Sequence, residues 1–248
     1  MESHLAAQDS GLVSQFVHKI GPTTDWAVAR SDHKWYPSGN TFSSNGVRLL
    51  RYDLTSSSSH FADPLSFILQ FELHNDQYDG TADKNIYLAA SAHALFRRIK
   101  VVCGGTTVSD EDYVSRLARL MYEMIPTAKK QNLEILSGDT GTIITNKKTF
   151  AVPILAPLFM QDKYLPLNVM SCSISFELCD SPTDIMMKTA DLPSGVSGQS
   201  SVWHLEQAVI IGSLVELDSS FSNSYSEFLL KGKSLTIPLI GHYVTPHV

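Results

Sequence analysis

The chain is poor in the residue types that most chemistry needs. Only three of its 248 residues are cysteine, at Cys103, Cys172 and Cys179. That number excludes a disulfide framework, and no C-x-x-C pair is present to hold a metal. Nine histidines are scattered without an H-x-x-x-H pair, so no zinc motif can be read along the chain. Charged residues are sparse, at 18%. Residues 1–125 carry 11 basic and 14 acidic side chains, and residues 126–248 carry 8 and 11. No basic tail exists, and tight packaging of nucleic acid, which needs a concentrated cationic footprint, is not expected. No N-x-[ST] sequon occurs, the first residues MESHLAAQDSG lack a basic and apolar leader, and no run approaches the roughly 18 apolar residues of a membrane span. The expectation is a chain folded in a reducing, cytosol-like compartment.

Catalytic patterns are equally thin. Ser59, His60 and Asp63 look like a triad only as text, because triad members meet in space and not along one loop. The G-x-S-x-G elbow is broken at Gly195-Val196-Ser197-Gly198-Gln199. Cys103 alternates with Ile99 and Val101, which buries it as a small hydrophobe and does not expose it as a nucleophile. The loop His74–Asp83 is rich in carboxylates but lacks the D-x-[DN]-x-[DN]-G spacing of a calcium loop, so a solvated loop is expected. No catalytic, cofactor-binding or metal-ligating residue is singled out, no cofactor is expected, and the chain does not read as an enzyme.

What the chain has is alternation. Met170, Cys172, Ile174, Phe176 and Leu178 share one face of a strand, and Ser171, Ser173, Ser175 and Glu177 share the other. Leu65, Phe67, Leu69, Phe71 and Leu73 form a second apolar row in a strand opened by Pro64. Leu50, Tyr52 and Leu54 face inward while Arg51 and Asp53 face out. Trp203, Leu205, Val209 and Ile211 define a later strand face. Gly104-Gly105 marks a hairpin turn after Ile99, Val101 and Cys103. One helix is predicted, capped by Ser109 or Asp110, with Tyr113, Leu117, Leu120, Met121 and Met124 on one face and Pro126 as its stop. Leu12–Ile20 reads as a short amphipathic arm, Lys129–Lys148 as an exposed excursion, Asp180–Ser201 as a long loop, and Gly232–Val244 as the start of a further strand. Strands separated by long loops, without βαβ alternation, predict an all-β antiparallel sandwich, and an eight-stranded jelly roll with one short helix fits the length. The expected division is an N-terminal arm at 1–25, a jelly-roll domain at 26–225 and a terminal strand at 226–248.

The segment Thr149–Asp180 carries a more specific pattern: Phe150, Val152-Pro153-Ile154, Pro157-Leu158-Phe159, Lys163, Leu165-Pro166-Leu167, Val169, and then the alternating strand. It resembles a segment of the double jelly-roll major capsid proteins of the polinton, virophage and large-DNA-virus lineage. Tyr36–His74 and LFRRIKVVCGGTTVSDEDYVSRLARLMYEM resemble further parts of that family in order and spacing. VIIGSLVELDSS resembles the strand that closes the first jelly roll, and KGKSLTIPLIGHYV the opening of the second. Such proteins need nearly twice this many residues, so the resemblance covers one jelly roll and the start of another.

The resemblance implies a structural capsid subunit of a DNA virus. Its partners would be itself, as a homotrimer, and other capsid proteins, with no specific nucleic-acid binding and no membrane span. It would be located in the virion after synthesis in the host cytoplasm or nucleus. Arg97, Arg98 and Lys100 form the densest basic spot, either a solvated face or an inter-subunit surface. A β-sandwich that binds carbohydrate or protein, stacking ligands on Trp26, Trp35 and Tyr36, is the alternative reading.

Overall fold

The computed structural model describes residues 27–56, 60–234 and 236–241. The expected N-terminal arm, Leu12–Ile20 included, lies outside the described residues, as do Trp26 and Ser59.

Eleven strands occur among the described residues: β1 Ala27–Trp35, β2 Leu49–Leu54, β3 His60–Ala62, β4 Ile68–Asn75, β5 Ile86–Tyr87, β6 Phe96–Cys103, β7 Thr106–Asp112, β8 Ile143–Ile144, β9 Lys147–Pro153, β10 Cys172–Leu178 and β11 Trp203–Leu217. Setting aside the short β3, β5 and β8, eight strands remain. They form two sheets, ordered β1-β11-β4-β9 and β2-β10-β6-β7, with β3 paired on β11. In chain order the first of the eight pairs with the last, the second with the seventh, the third with the sixth and the fourth with the fifth, all antiparallel. A long hairpin rolled on itself produces that nesting, and it is the jelly roll expected from the alternation.

The two sheets share one core. Leu69, Phe71 and Leu73 of β4, Phe150 and Val152 of β9, and Leu205 and Ile210 of β11 meet Leu50, Tyr52 and Leu54 of β2, Ile99 and Val101 of β6, and Ile174, Phe176 and Leu178 of β10. Phe96 bridges the layers, edge-on to Phe71 at 5.6 Å and tilted against Phe176 at 5.4 Å. The strict period of two in β2, β4 and β10 generates this core, because each second side chain must leave water.

Several expectations are corrected. Leu65 does not belong to the β4 row: Pro64–Ser66 is a 3-10 turn capped by Asp63, and Leu65 is 60% exposed. Met170 precedes β10 and is only partly buried against the core. Ser109 and Asp110 do not cap a helix but belong to β7, where the Gly104-Gly105 turn pairs Asp110 with Lys100. Among the described residues three α-helices replace the single expected one: α1 Val114–Met124, α2 Thr127–Ser137 and α3 Ser219–Leu230. Val114, Leu117, Ala118 and Tyr122 are the buried residues of α1, while Leu120 and Met124 are 62% and 84% exposed. Pro126 stops α1 but also begins α2, so the expected excursion Lys129–Lys148 is helical through Ser137 and then enters β8 and β9. In β11 a bulge falls between Glu206 and Val209, with Gln207 at φ 49°. The bulge shifts the alternation, so Ala208, Ile210 and Leu214 enter the shared core, while Val209, still buried, and the partly buried Ile211 turn to the other face. The expected terminal strand is absent from the described residues: the chain is helical to Leu230, and 233–234 and 236–241 carry no strand.

Candidate assembly surface

The outer face of the sheet β2-β10-β6-β7 presents polar residues in cross-strand rows. Leu49, Glu177 and Arg98 form one row, and Arg51, Ser175, Lys100 and Asp110 form the next. All of these except Asp110, together with Val102 and Ser173, line a shallow groove of about 360 Å³. The basic spot foreseen in the sequence lies here, and Arg98 and Lys100 project together as the alternation requires. It is charge-paired within the chain, however. Arg98 holds both oxygens of Asp110 through Nε and Nη2. Arg97 occupies a bulge between β6 and β10 and reaches Asp112 at 3.5 Å and Asp180. Arg48 joins Asp180 from the other side and also lies 3.5 Å from Glu177. The hydrogen bond from Arg98 is the main reason that the Asp110 carboxyl titrates below its ordinary range, and Arg48 does the same to Asp180. A planar fork fixes geometry in a way a lysine would not, so this face is an ordered mosaic of both signs and not a cationic patch.

On the opposite sheet β1 is an edge strand. Eight of its nine residues are exposed, and its far side carries no strand among the described residues. Arg30, Asp32 and Lys34 alternate along it, and charges of this kind discourage indiscriminate strand pairing.

The other sequence candidates disperse. Trp35 is buried, stacked on Phe67 at 5.1 Å, and its indole N–H donates to the Thr55 carbonyl, whereas Tyr36 is exposed. Trp35 and Tyr36 therefore form no common ligand platform. Asp63 caps its 3-10 turn and lies 3.4 Å from Arg30. The loop carboxylates point apart: Asp79 accepts from Thr81, Asp83 accepts from the backbone N–H groups of Ser197 and Gly198, and Asp76 turns to His204. Cys103 is half-buried on β6, its Sγ 3.4 Å from that of Cys172. Contact with Cys103 and burial push the Cys172 thiol far up, and burial also raises Cys179, to about 11, so both stay protonated.

One cluster escaped the sequence reading. His74 stacks on His204 with ring centroids 4.9 Å apart, on the outer face of β4 and β11. Glu206 lies 3.3 Å from His204 Nε2 and 3.8 Å from His74 Nε2. The two histidines are far apart in the chain, and only the β4–β11 register brings them together, so no local motif could have found them.

The strand order and the shared core define the class: a single antiparallel jelly roll with two helices inserted between its fifth and sixth long strands, β7 and β9. No protein-family model matches the chain, and no curated protein matches it significantly. Solved structures do. PBCV-1 VP54, as fitted into a cryo-EM reconstruction of the virophage Sputnik, matches with a TM-score of 0.57 at 12% identity, over 85% of this chain and 47% of that one. The cryo-EM structure of the Sputnik virophage gives 0.55 at 14% identity over 81% and 50%, and the Faustovirus major capsid protein gives 0.51 at 11% identity over 85% and 58%. The chain thus spans about half the length of the structures it matches, and shares with them the jelly roll expected from the Thr149–Asp180 pattern.

Proposed function

We propose that the chain is a structural capsid subunit of the double jelly-roll lineage, and that its work is geometric. A rigid sandwich offers fixed edges and loops, and identical copies close by rotation into capsomers, here trimers, that tile a shell in the virion alongside other capsid proteins. The observation that carries this reading is the nested strand order with its likeness to capsid structures over more than four fifths of the chain. No catalytic role is assigned to any residue. The arm at 1–25 and the jelly roll from 26 onward belong to this reading. Because α3 crosses residue 225, the jelly roll is better closed after Leu230 than at 225, with 231–248 leading toward a second jelly roll.

A sandwich that binds glycans through aromatic stacking is the weaker reading, since Trp35 is committed to the core. Size-exclusion chromatography with light scattering, followed by electron microscopy, tests the proposal. Trimers or larger closed particles are expected. A protein that stays monomeric at high concentration, and binds on a glycan array, overturns it.

A further inference from the structure

We propose that His74, His204 and Glu206 form a binding site for a zinc-class divalent cation on the outer face of the β1-β11-β4-β9 sheet. The inference is independent of capsid assembly.

The backbone prepares the site. His74 is the cross-strand partner of His204, and Glu72 that of Glu206, so four potential ligands project from one side of two paired strands. One ligand atom each from His74, His204 and Glu206 lies within 4.8 Å of the other two. Zinc bonds of about 2.0–2.2 Å need ligand atoms roughly 3.4 Å apart, so small side-chain rotations close the site. The two imidazoles are partly sheltered, with side chains 21% and 22% exposed, and Glu206 is more open, at 40%.

The polarity of the cluster then points to a cation. Both oxygens of Asp76 lie within 2.9 Å of His204 Nδ1, so that nitrogen carries the proton and donates. In the neutral ring Nε2 is then an acceptor, and it faces a Glu206 oxygen at 3.3 Å. Two acceptors confront each other across a gap that a metal ion fills. The arrangement carboxylate–histidine–metal is the usual way a ligating imidazole is oriented. His74 Nε2 meets Glu72 at 3.1 Å and Glu206 at 3.8 Å. Three carboxylates, from Glu72, Asp76 and Glu206, surround the two rings, and Lys147 offsets them from one side, 3.0 Å from Glu72. Two imidazole nitrogens with a carboxylate select zinc-class ions over calcium or magnesium, which take oxygen shells. A bound ion would pin β4 to β11 beside the Gln207 bulge and, through Asp76, tie down the loop that follows β4.

The test uses the full chain stripped with chelator and then titrated with zinc chloride by calorimetry, with parallel thermal melts and cobalt(II) absorption spectra. Expected are one equivalent bound per chain, a rise in Tm, and the intense visible bands of a low-symmetry cobalt site. His204→Gln and Glu206→Gln should each abolish all three signals, while Asp76→Asn should weaken binding roughly 10- to 100-fold. These positions lie on the outer face, and the unliganded melting temperature of each variant checks its folding. A wild-type protein with no zinc response overturns the proposal, because a proton then fills the gap. So does binding that survives both glutamine variants, which assigns it to other histidines.

Discussion

Tyr52 is completely enclosed, edge-on to Phe176 at 5.9 Å, and its hydroxyl has no hydrogen-bond partner among the described residues. A buried polar group without a partner costs about 1–3 kcal/mol, and removing it with little change of shape recovers part of that. Tyr52→Phe should therefore stabilise the fold by about 1 kcal/mol in urea unfolding, and a loss of stability would mean the hydroxyl is bonded after all. His93 is buried for the opposite reason, because all its polar atoms are engaged. Its Nε2–H donates to the Pro153 carbonyl at 3.0 Å, and Nδ1 accepts at 3.4 Å from Tyr122 or Ser91. The ring so joins α1, the end of β9 and the turn before β6. Burial pushes its pKa down to about 4 from the ordinary 6.5. The unfolded chain then takes up a proton first as pH falls. Stability from this group is complete above about 6.5 and drains between 6.5 and 4, by roughly 3 kcal/mol in all. Subtracting the stability curve of His93→Gln from that of the wild type isolates this slope from the carboxylates. A flat difference across that acid range would sink the assignment.

At the scale of elements, the sequence disclosed whatever its own periodicity encodes. β2, β4 from Ile68 onward and β10 follow a strict alternation, and their inward faces are as expected. The failures occur where a neighbour decides. The acidic run Asp110–Asp112 reads as a helix start, yet the hairpin register lays it beside Arg98 and Lys100, and ion pairs with Arg97 and Arg98 hold it as a strand. Tyr113 then enters the left-handed region at φ 57° before α1, which resets the phase of the helix and leaves Leu120 and Met124 outside. A bulge at Gln207 is invisible to a pattern of apolar residues, because it moves the pattern without altering its composition. The candidate charged face was half legible: the direction of Arg98 and Lys100 follows from alternation, whereas their pairing with β7 does not. The corrected core boundary is testable with two truncations. Phe176→Ala removes a ring packed against Tyr52 and Phe96 and should cost about 3–5 kcal/mol, whereas Leu65→Ala, on the exposed turn, should shift stability by less than about 0.5 kcal/mol. Equal losses in thermal and urea unfolding would return Leu65 to the interior.

For the whole molecule the question is which face meets a neighbour, and the charged sheet face permits a clean answer. The side chains of the pairs Arg97–Asp112 and Arg98–Asp110 are 35–42% exposed, at the surface and in contact with solvent, so each pair contributes about 0–1 kcal/mol and can be reversed without unfolding the sandwich. In the proposed capsid subunit their role would lie in orientation, since charges fixed in a plane discriminate between correct and incorrect partners more than they add affinity. Arg98→Glu with Lys100→Glu should leave the melting temperature nearly unchanged but impair assembly, measured as the fraction of protein in trimers or particles by light scattering. The double reversal also sets an introduced carboxylate against Asp110, so a local disturbance of β7 must be separated from a lost contact between subunits. Exchanging the pair, Arg98→Glu with Asp110→Arg, does so, because it keeps the bridge within the chain and inverts only the polarity shown to a neighbour. Assembly that stays impaired in the exchanged pair places the contact on this face. Assembly restored by the exchange assigns the defect to the sheet, and particles unchanged by every reversal leave the face to solvent.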